Sequence, residues 1–262
     1  MMTHAAGLIL LSLVFARVGG LTMTAPIFGG AAVPMQVRVL LAVALTALVA
    51  PLQWNAAFVS PGGPADYAVL LGSEAVVGVC LGLGVLILVH GMTLAGQLIG
   101  AASGLTVADV FDPSLDENVP LFSRLFFLLA VAIFFCVGGH RMVMAGLLDT
   151  FRTIPPGGAT FSRSIVDGFV TLAGQSFALA VRASAPVVTA LLLATLTLGL
   201  VGRTLPQLNV LSLGFGVNAL LAFAALSITL GTAAVAWADQ IEPALDTLLE
   251  CLQTPISKEW LF

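Results

Sequence analysis

Four stretches of this chain contain no Asp, Glu, Lys or Arg: Val39 to Ala65, Ala75 to Ala108, Ala183 to Gly202 and Thr204 to Ala238. A helix needs about 20 apolar residues to cross a hydrocarbon layer about 30 Å thick, so each stretch can hold at least one crossing. Backbone polar groups in lipid must be satisfied within the segment, which leaves helices as the spanning form for runs of this kind. Composition agrees: the chain is 59% hydrophobic and 8% charged, with mean hydropathy +1.10, whereas soluble chains carry about a quarter of their residues charged. The expected class is an all-α integral membrane protein.

The apolar segments fall at about 5–28, interrupted by Arg17, then 37–54, 67–110, 121–154, 165–201 and 211–237. Pro26, Gly29, Gly30 and Pro34 separate the first two, and "SPGGPADY" (Ser60 to Tyr67) precedes the third. The third is too long for one crossing and is expected to break at His90-Gly91. The fourth turns amphipathic through "HRMVMAGLLDTFRTIPPGG" and ends at Pro155 to Gly158, the best internal boundary. The fifth is also overlong, with a bend expected at Pro186. The sixth continues as a polar-faced helix, "ADQIEPALDTLLECLQ". The first segment lacks the features of a cleaved signal and reads as a retained helix. Basic residues are few and scattered, so charge gives no orientation.

Several function classes lose support at once. A net charge of −4 does not suit a nucleic-acid partner, which needs a basic face. No HExxH, GxSxG or P-loop pattern occurs, and His4, His90 and His140 lie in different segments. No catalytic residue, metal site or cofactor is expected. Cys80, Cys136 and Cys251 read as buried thiols. Arg17, Glu74 and Arg182 are isolated charges in apolar surroundings. Such charges mark proton relays in many carriers and otherwise snorkel, cap or pair. No two of them are close in sequence, which favours the second reading.

"GQLIGAASG" sets Gly96, Gly100 and Gly104 at i, i+4 and i+8, a small-residue stripe that lets another helix backbone approach. "ADVFDPSLDENVP" gathers Asp109, Asp112, Asp116 and Glu117 around Phe111 and Pro113. It lacks the EF-hand spacing. It fits a solvated loop, or one that lines or obstructs an aqueous path. "VGRTLPQLNVLSLGFGVN" (Val201 to Asn218) places polar and helix-breaking residues between two apolar runs. Irregular backbone there must be buried in protein or line water. It reads as a polar turn or as a packed hairpin tip, with Arg203 at the tip.

These residues resemble a family. "FARVGGLTMTAPIFGGAAVPMQVRVLLAVALTALVAP", "GQLIGAASGLTVADVFDP", "GGHRMVMAGLLDTFRTIPPG" and "PQLNVLSLGFGVN" together resemble the R subunit of the bacterial flagellar export gate, over essentially the whole chain. The most specific element is Pro206, Gln207, Asn209 and Val210 followed by Gly214 and Phe215. The injectisome counterpart is similar in pattern.

The resemblance implies a P-subunit-like part, residues 1–158, followed by a Q-subunit-like part, residues 159–262, built of kinked helical hairpins. It implies a plug over residues 106–123 that closes the pore, with Val110, Phe111, Asp112, Pro113, Asp116 and Glu117 as gating residues. Gly96, Gly100, Gly104, Arg203, Pro206, Gln207, Asn209, Gly214 and Phe215 would serve helix or subunit packing. The implied partners are the P and Q subunits, the B subunit that switches substrate class, the A subunit, exported flagellar proteins and membrane lipid. The implied place is the bacterial inner membrane at the flagellar basal body, with part of the assembly above the membrane on the periplasmic side. A different class, a small-solute secondary transporter, would need convergent charges at mid-depth, and only Arg17 and Glu74 speak for it.

Overall fold

The computed structural model describes residues 4–26, 33–54, 59–104, 120–159, 163–205 and 210–253. Among these residues every regular element is helical. In chain order the elements are α1 (His4–Thr24), α2 (Met35–Val49), a 3-10 turn (Ala50–Gln53), α3 (Pro64–Ser103), α4 (Leu121–Val137), α5 (Gly139–Thr153), α6 (Arg163–Thr204) and α7 (Val210–Gln253). Five of the helices are long and apolar enough to cross a membrane, or six spans result if the pair α4 and α5 counts as one.

Two sequence expectations need correction, the break at His90-Gly91 and the burial of Cys136. The third segment does not break at His90-Gly91: α3 is one helix of 40 residues, about 60 Å long at about 1.5 Å per residue. A glycine alone keeps its N–H and does not interrupt the helix ladder. Gly91 instead makes room for α6, since an added Cβ would lie 2.9 Å from the Ser176 carbonyl oxygen. The fourth segment does break, at Gly138, whose φ of +83° lies in the left-handed region. Glycine at 138 permits there what a side chain would oppose. Cys136 is exposed on α4, while Cys80 is buried and Cys251 half-buried. The surroundings of Cys136 are apolar in sequence, but it lies on a face that this chain does not cover. In the fifth segment, helical structure continues through Pro186.

The chain forms two compact units. The first comprises Met1–Leu88, Gly138–Leu172 and Glu242–Phe262, the second Val89–Val137 and Ala173–Ile241. Each therefore draws on residues from both sides of the Pro155–Gly158 turn.

In the first unit α1 packs on α2, and α1 meets α3 at closest range through glycines. A Cβ on Gly78 would strike the Arg17 carbonyl, one on Gly20 the Ala75 carbonyl, and one on Gly82 the Thr24 hydroxyl. Leu13, Val14, Val18, Leu21, Val77 and Leu81 fill the surrounding core. The last turns of α7 are seated in three further glycine notches: Leu248 against Gly84, Leu249 against Gly146 and Cys251 against Gly168. In the second unit, Phe122, Phe126 and Phe134 of α4 are fully buried with Met92 and Ile99 of α3. Trp237 is also fully buried there, and its indole N–H donates to the Ala130 carbonyl at 3.0 Å. That hydrogen bond meets the polar demand of a buried indole.

Candidate functional site

The most completely built polar site lies inside the first unit. Arg17 of α1 and Glu74 of α3 have no exposed side-chain surface and form a forked ion pair. Arg17 Nε donates to Glu74 Oε2 at 2.6 Å and Nη2 donates to Oε1 at 3.0 Å. Nη1 donates to Thr150 Oγ1 at 3.3 Å, and both Nη atoms donate to the Ile154 carbonyl at 3.2 Å. A guanidinium has five N–H donors, and each has an acceptor here. Glu74 Oε1 also accepts the Gly157 backbone N–H at 2.8 Å. The Arg17 guanidinium carbon lies 4.2 Å from the centroid of the Phe151 ring, a cation–π contact worth up to about 2 kcal/mol when desolvated.

Local sequence explains why these groups converge. The glycine crossing at Gly20 and Gly78 brings α1 and α3 so close that Arg17 and Glu74 come within reach of each other. Pro155 biases the residue before it away from helix. Ile154 accordingly adopts φ −120°, ψ 96°, and α5 ends at Thr153. Helix-terminal carbonyls lack intrahelical partners, and that of Ile154 is taken by Arg17. Gly157, with φ +83°, turns the chain so that its N–H meets Glu74. The same turn is held by Gly158 N–H to the Pro155 carbonyl at 2.8 Å and by Val59 N–H to the Pro156 carbonyl at 3.0 Å.

Burying a charge costs several kcal/mol per ion, and the pair's attraction offsets this only with good geometry and every remaining group bonded. Both conditions are met. The network has no vacant donor on Arg17, so it suits a fixed joint between α1, α3 and the α5–α6 turn.

A second feature lies in the second unit. A cavity of about 410 Å³ is lined by Ala101 and Ser103 at the end of α3, by Gly104 just beyond it, by Thr195 and Leu198 of α6, and by Gly214, Phe215 and Asn218 of α7. Asn218 Nδ2 reaches Thr195 Oγ1 at 3.5 Å, while Asn218 Oδ1 is buried without a hydrogen-bond partner.

The residues singled out by sequence distribute as follows. Gly104, Gly214 and Phe215 come together at this cavity. Gly104 is not part of the helical stripe: α3 ends at Ser103, and Gly104 takes φ +76° with the Phe215 ring 3.5 Å from where its Cβ would be. Gly96 is buried elsewhere, where a Cβ would collide with the Phe122 carbonyl. Gly100 is buried and its carbonyl accepts the Ser103 hydroxyl at 2.8 Å. Arg203 is exposed in the last turn of α6. Val110, Phe111, Asp112, Pro113, Asp116, Glu117, Pro206, Gln207 and Asn209 lie outside the described residues.

Sequence reasoning missed the Gly20, Gly78 and Gly82 crossing, although Gly78 and Gly82 carry the same four-residue spacing as Gly96 and Gly100. It weighed Arg17 and Glu74 separately. The only sequence signal for their pairing was opposite charge in apolar surroundings.

Known proteins give this arrangement a context. The profile of the bacterial export proteins, family 1, matches residues 8–244. The flagellar biosynthetic protein FliR of Caulobacter vibrioides is 27% identical over 240 residues, 90% of this chain and 94% of that protein. The protein of the same name from Pectobacterium carotovorum is 33% identical over 208 residues, 78% of this chain and 77% of its own length. The secretion system apparatus protein SsaT of Salmonella typhimurium is 26% identical over 161 residues, 61% of this chain and 62% of its own. With a match that takes in every described helix from within α1 to within α7, the chain belongs to the bacterial export proteins, family 1.

Proposed function

We propose that this chain is the R-type subunit of a flagellar protein export gate, a conduit component and not a catalyst. The observation that carries the reading is similarity to flagellar biosynthetic proteins along about nine-tenths of the chain. In this reading it assembles with P and Q subunits, contacts the B and A subunits of the export apparatus, and passes unfolded rod, hook and filament proteins. Residues 1–158 act as the P-like part and 159–262 as the Q-like part. Residues 106–123 plug the closed pore, with Phe111 and its apolar neighbours sealing it and the acidic side chains wetting it when open. Part of the assembly stands on the periplasmic side.

The long helices support this reading. α3, α6 and α7 have 40, 42 and 44 residues, about twice the length a simple span requires. The match to SsaT gives an injectisome subunit as a second reading, but over a smaller part of the chain. A small-solute carrier gains nothing from Arg17 and Glu74, whose bonding capacity is spent on each other and on the α5–α6 turn.

Affinity purification of the tagged chain from its native membrane tests the proposal. Stoichiometric recovery of P and Q subunits, together with loss of filament export in a deletion strain and its return on complementation, is the expected result. A monomer or small homo-oligomer, with export unchanged in the deletion strain, would overturn it.

A further inference from the structure

We infer that the Arg17–Glu74 network is a strap anchor: it fixes the Ile154–Gly158 turn against the connection that precedes α3, and it carries no protons. An ionisable pair inside a membrane protein is by default a relay candidate, yet a relay needs a group that can exchange partners. Arg17 donates all five of its N–H groups, and Glu74 accepts from Arg17 twice and from the Gly157 backbone once. Thr150, the hydroxyl in the network, already donates to the Leu147 carbonyl at 2.7 Å. A proton placed on Glu74 would oppose the Gly157 N–H or the guanidinium fork directly. The network also reaches two backbone groups of one turn, the Ile154 carbonyl and the Gly157 N–H. Those groups flank Pro156, whose carbonyl accepts the Val59 N–H. The turn is thus held on one side by charge and on the other by the chain that enters α3.

A test follows from that contact. Val59 and Pro156 are in backbone contact at 3.0 Å, and a disulfide also requires converging Cβ vectors, so Val59→Cys with Pro156→Cys, once shown to cross-link in the parent, reports whether the strap is seated. The native Cys80, Cys136 and Cys251 are replaced by alanine in the full-length protein, which is studied in its membrane. The anchor is then removed by Arg17→Met with Glu74→Leu, an apolar pair that avoids stranding a buried charge. The expected result is normal abundance with cross-linking rate reduced at least about tenfold. Glu74→Leu alone should lower abundance as well as cross-linking, and it should recover abundance when Arg17→Met is added. An unchanged cross-linking rate in the double variant overturns the anchor. So does loss of the double variant from the membrane, which would make the pair a folding requirement and not a strap.

Discussion

At the scale of single residues, the glycines inside the helices include some that space helices and some that face nothing. Gly78 sits against the Arg17 backbone, whereas Gly72, six residues earlier on α3, has no atom near where a Cβ would be. Gly78→Ala must push α1 from α3 by backbone displacement, at a cost of about 1–3 kcal/mol. Gly72→Ala adds helix propensity worth up to about 1 kcal/mol and displaces no neighbour. Fluorescence-detected size exclusion after graded heating should therefore show a lower midpoint for Gly78→Ala and an equal or higher one for Gly72→Ala. Equal midpoints would mean that the α1–α3 crossing does not limit stability. This contrast also marks what was legible. The spacing of Gly96 and Gly100 announced a close approach, and the same pattern at Gly78 and Gly82 was equally visible. Spacing alone could not reveal that Gly104 ends a helix, because that depends on its φ. Nor could it join Arg17 to Glu74, which lie 57 positions apart in the chain, with two of their partners, the Ile154 carbonyl and the Gly157 N–H, on a distant turn.

At the scale of elements, apolar runs predicted helices well and their interruptions poorly. Periodicity and length established that α1, α2, α3, α6 and α7 exist. The break expected at His90-Gly91 is absent, because a glycine keeps its N–H in the ladder, and a break that was not anticipated falls at Gly138. Pro186, where a bend is expected, lies within α6. At Gly138 the left-handed backbone makes any L-residue unfavourable by about 1–2 kcal/mol, so Gly138→Ala should reduce membrane abundance. Pro186 is exposed in this chain, and Pro186→Ala returns an N–H to the helix ladder without opening a core. Its abundance should equal or exceed that of the parent. A fall with Pro186→Ala, against no change with Gly138→Ala, would reverse the assignment of which residue shapes its element. The plug expected over 106–123 rests on its acidic composition and the family resemblance; residues 105–119 lie outside the described residues, and Leu121, Phe122 and Ser123 belong to α4. The proposed plugging role predicts that deleting Phe111 to Asn118 raises small-ion leak across membranes that contain the assembled gate, and unchanged conductance would remove that role.

At the scale of the whole molecule, the distribution of burial argues that this chain does not work alone. In the most apolar window of α3, 61% of residues are buried within the chain, but only 17% in those of α6 and α7. Phe177, Leu192, Leu196 and Leu200 on α6 are exposed, as are Leu220 and Ile228 on α7. Lipid can cover such faces as well as protein can, because apolar surface drives no helix association inside a bilayer. Polar groups decide between them. The Asn218 carbonyl oxygen, beside the open cavity, lacks a hydrogen-bond partner. An unmet polar group in hydrocarbon favours a partner that can hydrogen-bond, which a lipid chain cannot do. Protein cover over α6 and α7 should then govern the lifetime of the subunit. In cells lacking the P and Q subunits, pulse-chase labelling should give this chain a half-life several-fold shorter than in their presence. Replacing Asn218 by Leu should weaken that protection, because it removes the polar group that a partner would satisfy. A half-life that is the same with and without those subunits would assign the exposed faces to lipid and leave the cavity to another occupant.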